Sequence, residues 1–406
     1  MARISRRHFF QFAGSTLATL GLSQLNIHQQ AESYGKVLAQ STPRKIALLV
    51  GINKYSSQPL RGCVSDVELQ RHLLIHRFGF NPKDIYTLID EKATRSGILE
   101  AFEEHLIKQA KPGDVVVYHY SGHGSRVLDP DPMVVSSSND KNGLNGTFVP
   151  VDASLPVGYP EQGGVVKDIM GHTLFLLMSA VKSDNFTAVL DSCYSGGATR
   201  DRRVRSRDGG SKVQISPEEK LYQEKWLSRL NLSREEFVRR YQAGVAKGVV
   251  LAATDPNQTA ADAKFNGFYA GIFTYLLTQY LWQQTSTVED AIAYAIQNLP
   301  KEYNQTPRFE VKVASGYEKQ PIYFINNPSL LANAVITEIK GNKATLWLGG
   351  FDEKGLADLA NGTVFTIIGA GGRSSGKVTL RSRNGLIGIA TVEGVVAPGT
   401  LLRKVD

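Results

Sequence analysis

The sequence of 406 residues lacks the features that mark several large classes of protein. It has no run of 18 or more apolar residues, so no segment is expected to cross a membrane as a helix. No spacing of cysteine and histidine indicates a zinc site, and neither a P-loop nor a dinucleotide-binding fingerprint is present. What is there is a chain with 42% hydrophobic residues, long enough for two or three domains with a sizeable core.

The amino terminus resembles an export signal. Arg6 and Arg7 are followed by two phenylalanines and then by a weakly apolar stretch, as in twin-arginine signals. Residues 37–39 form a plausible cleavage site, and a frayed basic terminus is the alternative interpretation. We therefore expect residues 1–39 to direct export to the periplasm or the thylakoid lumen. Removing them lowers the net charge of +8 by three, which leaves a balance too mild to indicate a nucleic-acid partner.

Two reactive side chains follow two apolar, β-branched segments. His123 follows residues 114–121 (DVVVYHYS), and Cys193 follows residues 186–192 (FTAVLDS). Such segments predict buried strands that break into glycine-containing turns. In open α/β sheets the ligand chemistry lies at the carboxyl ends of strands, where a thiol and an imidazole can act as nucleophile and base. A buried cysteine or a hydrogen-bonded histidine is the ordinary interpretation of either residue alone, but the two motifs together favour catalysis.

The same motifs, residues 120–125 (YSGHGS) and 191–196 (DSCYSG), resemble the histidine and cysteine boxes of the metacaspases, in particular of their prokaryotic relatives, the orthocaspases. Further similar segments occur in the order of that family, at residues 47–55 (ALLVGINKY), 60–67 (LRGCVSDV), 149–152 (VPVD) and 251–260 (LAATDPNQTA). The resemblance covers about residues 44–327. It implies a caspase-type α/β fold, in which a mostly parallel six-stranded sheet is sandwiched by helices.

The pattern of the sequence divides the chain into regions. Strands alternate with helices up to residue 328, and the last strand of the sheet is predicted at residues 321–326. From residue 332 onward, short strands separated by Gly and Asn turns predict a small antiparallel β-barrel or sandwich. The predicted organisation is an export signal at 1–39, a caspase-like peptidase domain at 44–328 with a basic insertion at 198–246, and an all-β domain at 332–406.

By the resemblance, the chain is a cysteine endopeptidase. Cys193 is expected to attack the scissile carbonyl as a thiolate and to form a thioester acyl-enzyme. His123 is expected to lower the pKa of the thiol by pairing as imidazolium, and then to protonate the leaving amine. The backbone N–H groups of Gly124 and Cys193 are candidates for an oxyanion hole. A disulfide between Cys63 and Cys193 is disfavoured, because Cys193 is better explained as a nucleophile.

Two carboxylates predict a pocket for a basic residue. Asp191 precedes Cys193 by two positions, so both side chains point to one face of a strand end. A carboxylate there raises the pKa of the thiol, so its presence is better explained by a bond to Arg or Lys of the substrate. Asp66 lies in the box that supplies a second pocket carboxylate in metacaspases. Cleavage after Arg or Lys is therefore predicted. An N-terminal helix charge for Asp66 and a structural hydrogen bond for Asp191 are the alternatives.

The insertion carries five arginines within eight positions, at residues 200, 202, 203, 205 and 207, followed by two glycines. A peptidase specific for basic residues, with an exposed basic loop just after its nucleophile, is expected to process itself there. A solvated charged segment and a polyanion-binding patch are alternatives. Beyond the arginines, Ser216 and Ser233 each begin a capping box, which predicts two short helices.

Cofactors and partners are less defined by the sequence. Many metacaspases need calcium, and the sequence leaves open whether calcium activates this protein. Residues 139–146 (NDKNGLNG) and Lys167 stand where the family is more acidic. Asp152 and Asp168 remain as candidate ligands, and no other metal is predicted. The expected partners are proteins or peptides with Arg or Lys at the cleavage site, and the oligomeric state is left open. A weakly active or inactive caspase-fold scaffold and a binding protein acting through its β domain are alternative functions.

Overall fold

The computed structural model describes residues 43–133, 143–193, 203–326, 328–368 and 376–405. Its strands, in chain order, are β1 (Lys45–Gly51), β2 (Ile85–Ile89), β3 (Val115–Ser121), β4 (Gly124–Leu128), β5 (Leu144–Phe148), β6 (Gly164–Val166), β7 (Ile169–Met170), β8 (Phe186–Asp191), β9 (Gly210–Ile215), β10 (Val249–Ala252), β11 (Asp262–Lys264), β12 (Tyr269–Gly271), β13 (Arg308–Val311), β14 (Ala334–Lys340), β15 (Lys343–Trp347), β16 (Val364–Ile368), β17 (Lys377–Asn384), β18 (Ile387–Glu393) and β19 (Leu401–Lys404). Its helices are α1 (Cys63–His76), α2 (Arg95–Ala101, continued by a π-helical turn over Phe102–Ile107), α3 (Gly171–Ala180), α4 (Pro217–Arg229), α5 (Arg234–Gln242), α6 (Ile272–Gln283), α7 (Val288–Asn298) and α8 (Glu353–Ala357). None of these helices is long and apolar enough to cross a bilayer.

The central sheet has six strands in the order β13-β10-β8-β3-β1-β2. All neighbouring pairs are parallel except β13, which is antiparallel to β10 at the edge. Alternate residues of β1 enter two different cores, with Ala47 and Leu49 on the side of α1 and α6 and with Ile46, Leu48 and Val50 on the side of α2 and α3. Because both faces are covered, β1, β3 and β8 are mostly apolar and are buried along nearly their whole length. The predicted mostly parallel sheet sandwiched by helices is confirmed.

One strand prediction is wrong. Residues 321–326 do not form the last strand of the sheet, which is instead Arg308–Val311. The backbone at Tyr323 and Phe324 takes a φ of 55° at both residues, a left-handed conformation that no strand continues through. Tyr323 is buried, and its hydroxyl donates a hydrogen bond of 2.9 Å to Gln70. The apolar run in this segment therefore serves core packing rather than strand pairing.

A second sheet has the order β6-β9-β4-β5-β7 and lies beside the carboxyl edge of β3. The basic insertion supplies β9 to this sheet and continues into α4 and α5. The hydroxyls of Ser216 and Ser233 accept hydrogen bonds from the third helical N–H groups, at Glu219 and Glu236, so both serines cap their helices as expected. The insertion is thus built into the fold from residue 210 onward.

The carboxyl-terminal strands close into a barrel in the order β14-β15-β18-β17-β16-β19. The expectation of a small antiparallel barrel or sandwich is confirmed in its barrel form, in which β19 pairs with β14 and β16 and closes the ring. The barrel shares a hydrophobic core with α1 and α6. The ring of Trp347 stacks on His72 of α1 at 4.2 Å, and Tyr275 of α6 donates a hydrogen bond of 2.9 Å to the carbonyl of Phe351.

Candidate active site

The register of the central sheet places His123 and Cys193 at the same edge. In the parallel pairing of β3 and β8, Ser121 is aligned with Asp191. His123 and Cys193 each follow these aligned residues by two positions, and both are buried. Because parallel strands end together at their carboxyl edge, the two side chains predicted to react are carried to one place by the backbone itself.

The imidazole of His123 is held by main-chain and phenol groups. Its Nε2 lies 2.7 Å from the carbonyl oxygen of Gln58, so Nε2 carries the proton and donates it to that oxygen. The Tyr55 hydroxyl accepts a hydrogen bond of 2.9 Å from the backbone N–H of His123, and the two rings lie 4.4 Å apart. The other ring nitrogen, Nδ1, is buried without a hydrogen-bond partner among the described residues. Nδ1 is therefore the atom free to accept a proton.

Burial keeps the two reactive groups neutral in this structure. It raises the pKa of the Cys193 thiol to about 12, although the backbone at Ala260 and the charge of Arg205 act in the opposite direction. Burial likewise lowers the pKa of His123 to about 4. The expected thiolate–imidazolium pair is thus disfavoured in this state, since water does not reach either charge.

Residues 203–207 lie between Gly124 and Ala261 and are held by two isolated β-bridges. Val204 forms an antiparallel bridge with Ala261, and Ser206 forms a parallel bridge with Gly124. The N–H of Arg205 donates to the carbonyl of Ala260 at 2.9 Å. The segment is therefore bound through its main chain on both sides of Arg205, as an extended peptide binds to a sheet edge.

The carbonyl oxygen of Arg205 lies between two backbone donors. It accepts a hydrogen bond of 3.0 Å from the N–H of Gly124 and one of 3.2 Å from the N–H of Cys193. These are the two groups that the sequence suggested for an oxyanion hole. Gly124 has no room for a side chain, because a Cβ there would overlap the carbonyl of Cys193. Glycine at this position lets the two donors converge on one oxygen.

The side chain of Arg205 is fully buried among three carboxylates. Its Nη1 lies 2.6 Å from Asp66 and 3.1 Å from Asp191, and its Nη2 lies 3.2 Å from Asp262. Asp66 and Asp191 are the two residues predicted to form a basic pocket, and the structure brings them together around a basic side chain. Burial raises the pKa of Asp66 to about 7, and Arg205 opposes that rise.

Sequence reasoning missed Asp262, which enters the pocket from β11. The backbone N–H groups of Arg61 and Gly62 each donate to its carboxylate at 2.8 Å, just before α1 begins. A carboxylate two residues beyond the 251–260 segment was the available signal, but nothing in the local pattern relates it to Asp66, almost 200 residues earlier.

The floor of the pocket is formed by Gly271 and the start of α6. The N–H of Gly271 donates to Asp66 at 2.9 Å, while the N–H and hydroxyl of Thr274 donate to Asp191 at 3.0 and 2.6 Å. A Cβ at Gly271 would overlap the Asp191 carboxylate and lie 2.6 Å from Nη1 of Arg205. The absence of a side chain at Gly271 thus makes space for the guanidinium.

A second arginine of the segment is bound on the other side of Ser206. Arg207 pairs with Asp168 through two parallel bonds of 2.7 Å, and its Nη1 also donates to the carbonyl of Ala153 at 2.8 Å. The hydroxyl of Thr147 donates to the same carboxylate at 2.6 Å. Both charged groups are buried. This fork-to-fork geometry is the strongest arrangement of a guanidinium and a carboxylate.

Both candidate calcium ligands, Asp152 and Asp168, are engaged by other groups of the chain. Asp168, one of the two candidate ligands, is engaged by Arg207, and Asp152 accepts a hydrogen bond of 2.8 Å from the N–H of Arg95. In the described part of the chain, no three His, Cys, Asp or Glu side chains are grouped so as to hold a metal ion. Residues 139–142 of the less acidic loop lie outside the described residues.

With the fold and the geometry of the sheet edge established, the class of protein can be stated. The chain belongs to the caspase domain family, whose model matches residues 44–318. Among its relatives are the metacaspase-1 proteins of Kluyveromyces lactis, 27% identical over 308 residues, and Schizosaccharomyces pombe, 26% identical over 302 residues. The alignments cover 66% and 65% of this chain and 66% of each relative. The chain thus spans just under two thirds of the length of these metacaspases, and the metacaspase-like recognition is confirmed.

Two solved structures are similar to this chain. A protein from Geobacter sulfurreducens is 22% identical, with a TM-score of 0.47 over 70% of this chain and 99% of that protein. Caspase-1 from Spodoptera frugiperda is 11% identical, with a TM-score of 0.36 over 66% of this chain and 87% of that protein.

Proposed function

We propose that this protein is a cysteine endopeptidase that cleaves after Arg or Lys, with Cys193 as nucleophile and His123 as base. The observation that carries the proposal is the position of Arg205. Its carbonyl oxygen accepts from the N–H groups of Gly124 and Cys193, while its side chain lies among Asp66, Asp191 and Asp262. One residue therefore satisfies the requirements of a substrate at both its main chain and its side chain.

The chemistry follows from the groups that surround the Arg205 carbonyl. The Cys193 thiol gives its proton to Nδ1 of His123, and the sulfur forms a bond to the carbonyl carbon. The negative charge that develops on the oxygen is stabilised by the two backbone N–H donors. As the C–N bond breaks, the imidazolium returns the proton to the leaving amine. Water then hydrolyses the thioester, which gives a carboxylic acid and restores the thiol.

The hydrogen bond from Nε2 to the Gln58 carbonyl orients the base in this scheme. It fixes the proton on Nε2 and so leaves the lone pair of Nδ1 for the thiol proton, and it stabilises the imidazolium once it forms. Gln58 supplies only its backbone carbonyl, so a substitution of its side chain is expected to leave this bond intact.

The same geometry supports self-processing in the basic insertion, at the bond between Arg205 and Ser206. That bond follows directly from the carbonyl held by Gly124 and Cys193. Until it is cut or displaced, Arg205 fills the pocket that a substrate would need. We propose that the uncut chain is blocked by its own residues 203–207 and that cleavage after Arg205 opens the site.

The function is tested with fluorogenic peptides that differ only in the residue before the reporter, namely Arg, Lys, Asp or Ala. Wild-type protein is expected to hydrolyse the Arg and Lys peptides, and Cys193→Ala is expected to be inactive toward all four. Hydrolysis of the Asp peptide would remove the role given to the acidic pocket. A folded wild-type protein that has been cut after Arg205 and still hydrolyses no peptide, with or without added calcium, would contradict the proposal itself.

The remaining expectations concern origin and location. We propose that the protein is of the prokaryotic orthocaspase type and is exported through a twin-arginine signal at residues 1–39. Replacement of Arg6 and Arg7 by lysine, followed by cell fractionation, tests the export. Retention of the variant inside the cell supports it, and normal export of the variant argues against it.

A further inference from the structure

The Arg207 site is not needed for the chemistry of peptide cleavage, yet it is a built site. Arg207 stands two residues after the proposed scissile bond, which joins Arg205 and Ser206. Its guanidinium and the Asp168 carboxylate are both buried, and Asp168 receives a further bond from Thr147. Desolvating both charges is costly, and partners that leave no lone pair empty offset that cost. A buried ion pair of this kind therefore indicates a specific role for Arg207 and not an ordinary solvated charge.

The main chain shows what the site does to the segment. The N–H of Gly124 donates to the Arg205 carbonyl at 3.0 Å, and the carbonyl of Gly124 accepts from the N–H of Arg207 at 2.9 Å. Gly124 therefore holds the residues on both sides of Ser206. The Asp168 pair fixes which residue stands at the second of these positions, because only a basic side chain satisfies its buried carboxylate.

The insertion offers several arginines for cleavage, so the choice of Arg205 requires an explanation. The arginines at 203 and 205 have the same two-residue spacing as those at 205 and 207. A slip by two residues would place Arg203 in the acidic pocket and Arg205 at Asp168. It would leave residues 206–209 to reach β9, which is more than enough chain. The opposite slip would bring Gly209 to Asp168 with no connecting residue before β9.

We propose that Asp168 forms a second basic subsite, specific for Arg at the position two residues after the scissile bond, and that Arg207 in this subsite sets the register of self-cleavage. The inference rests on the proposed function and adds a recognition element on the leaving-group side. In this scheme the self-processing motif is Arg-Ser-Arg, and both arginines are recognised. Asp168 is a binding residue that acts on position and takes no part in proton transfer.

The experiment maps the new amino termini by mass spectrometry during self-processing of the full chain. The variants are Arg207→Gln, Arg207→Lys and Asp168→Asn, with Arg203→Gln as the matched control. The wild-type protein and Arg203→Gln are expected to give Ser206 as the new amino terminus, at rates within about twofold of each other. Arg207→Gln is expected to slow that cut at least about tenfold, because a buried carboxylate loses its partner.

The position of the residual cut is the sharper result. In Arg207→Gln, cleavage is expected to move to the bond after Arg203, because Arg205 then fills the Asp168 subsite. Asp168→Asn removes the preference of the subsite for Arg. It is therefore expected to slow the cut after Arg205 without moving the cut to the bond after Arg203. Arg207→Lys keeps the positive charge but loses the bidentate geometry of the guanidinium. Its rate of cleavage after Arg205 is expected to lie between those of the wild type and Arg207→Gln. This conservative variant keeps the test meaningful if Arg207→Gln folds poorly.

Two kinds of failure are distinguishable. The inference is overturned if Arg207→Gln and Asp168→Asn cut only after Arg205 at the wild-type rate, or if the wild-type protein never cuts there while it hydrolyses Arg peptides. In both of these cases the proposed peptidase activity stands, and in the second case only the proposed self-processing after Arg205 fails with the inference. If the wild-type protein neither cuts itself nor hydrolyses Arg peptides in a manner that depends on Cys193, the proposed function fails as well.

Discussion

Two arginines of one segment lie in sites of opposite electrostatic design. Arg205 is surrounded by three buried carboxylates, so its site has more negative charge than its guanidinium can neutralise. Arg207 meets one carboxylate, Asp168, in a bidentate pair in which the two charges balance. The two side chains are separated in sequence by Ser206 alone. This difference indicates that Arg205 can be replaced in its site by a basic residue of a substrate, whereas Arg207 stays bound in its own.

The excess of carboxylates in the Arg205 site is costly when the pocket is empty and favours any basic side chain that enters it. Each carboxylate is held by N–H donors of the fold, at Gly271, Thr274 and Gly62, so the pocket persists without Arg205. The Arg207 site has a different support. Its segment continues directly into β9, which pairs with β4 and β6. After cleavage, Arg205 ends a free chain while Arg207 stays attached to a sheet.

The largest effect is expected when the Arg205 side chain is removed from its acidic pocket. In Arg205→Gln the segment loses its ion pairs, and water is expected to reach Cys193. Its pKa then falls from about 12 toward the ordinary value of a thiol, because hydration outweighs the loss of the Arg205 charge, which by itself lowers that pKa. Alkylation by iodoacetamide at pH 8 should become faster by about 100-fold or more, because only the thiolate reacts. Cys63, which is also buried, serves as the internal control. Equal alkylation of Cys193 in both proteins would show that Arg205 does not block the site.

The second largest effect is expected when the space for a guanidinium in the acidic pocket is filled. In Gly271→Ala, a Cβ would lie 2.6 Å from Nη1 of Arg205, so a guanidinium no longer fits. Self-cleavage after Arg205 and hydrolysis of an Arg peptide are both expected to fall about 100-fold, the peptide reaction mainly through KM. Gly209→Ala, a substitution on the side of Arg207, is the matched control for loss of a tight glycine. An unchanged KM in Gly271→Ala would mean that Arg binds elsewhere.

A tenfold effect is expected from the geometry of the cation. A guanidinium reaches Asp66, Asp191 and Asp262 with two nitrogens, whereas a lysine has a single ammonium nitrogen. The processed enzyme should therefore prefer Arg over Lys peptides by about tenfold in kcat/KM. Asp262→Asn should reduce that preference to about twofold, because it removes the partner of Nη2. A preference that does not change in Asp262→Asn would assign the discrimination to Asp66 and Asp191 alone.

Much of this site could be predicted because it depends on local sequence. His123, Cys193 and Gly124 lie directly after strands, and Asp191 lies two residues before the nucleophile, so strand register alone brings them to one edge. Asp66 was recognised by resemblance in the first turn of α1. The alternation of strands and helices likewise predicted the mostly parallel central sheet, and the short strands after residue 332 predicted the barrel that follows.

The rest depends on contacts between distant parts of the chain. Asp262 joins Asp66 only because β11 and β12 lie against the start of α1, and no local pattern marks that contact. From the sequence Asp168 is a candidate calcium ligand, because its partner Arg207 lies 39 residues further on, in the segment that precedes β9. The segment at 321–326 looked like a strand because burial of Ile322 and Tyr323 gives the same apolar pattern as strand pairing.

The smallest effect follows from protonation of the Asp66 carboxyl in the Arg205 site. Burial raises the pKa of Asp66 to about 7 even with the Arg205 guanidinium beside it, which acts to lower that pKa, so binding of a basic ligand favours the ionised carboxyl. In the protein with both Cys193→Ala and Arg205→Gln, the pocket is empty and the reactive thiol is absent. The Kd of argininamide should then decrease several-fold as the pH rises from 6 to 8, with at most about a tenfold change per pH unit for one proton. Calorimetry at several pH values measures this change, and adding Asp66→Asn should flatten it. A Kd that is constant with pH, or that increases, would mean that Asp66 is already ionised in the empty pocket and that the excess charge of the Arg205 site is larger than inferred.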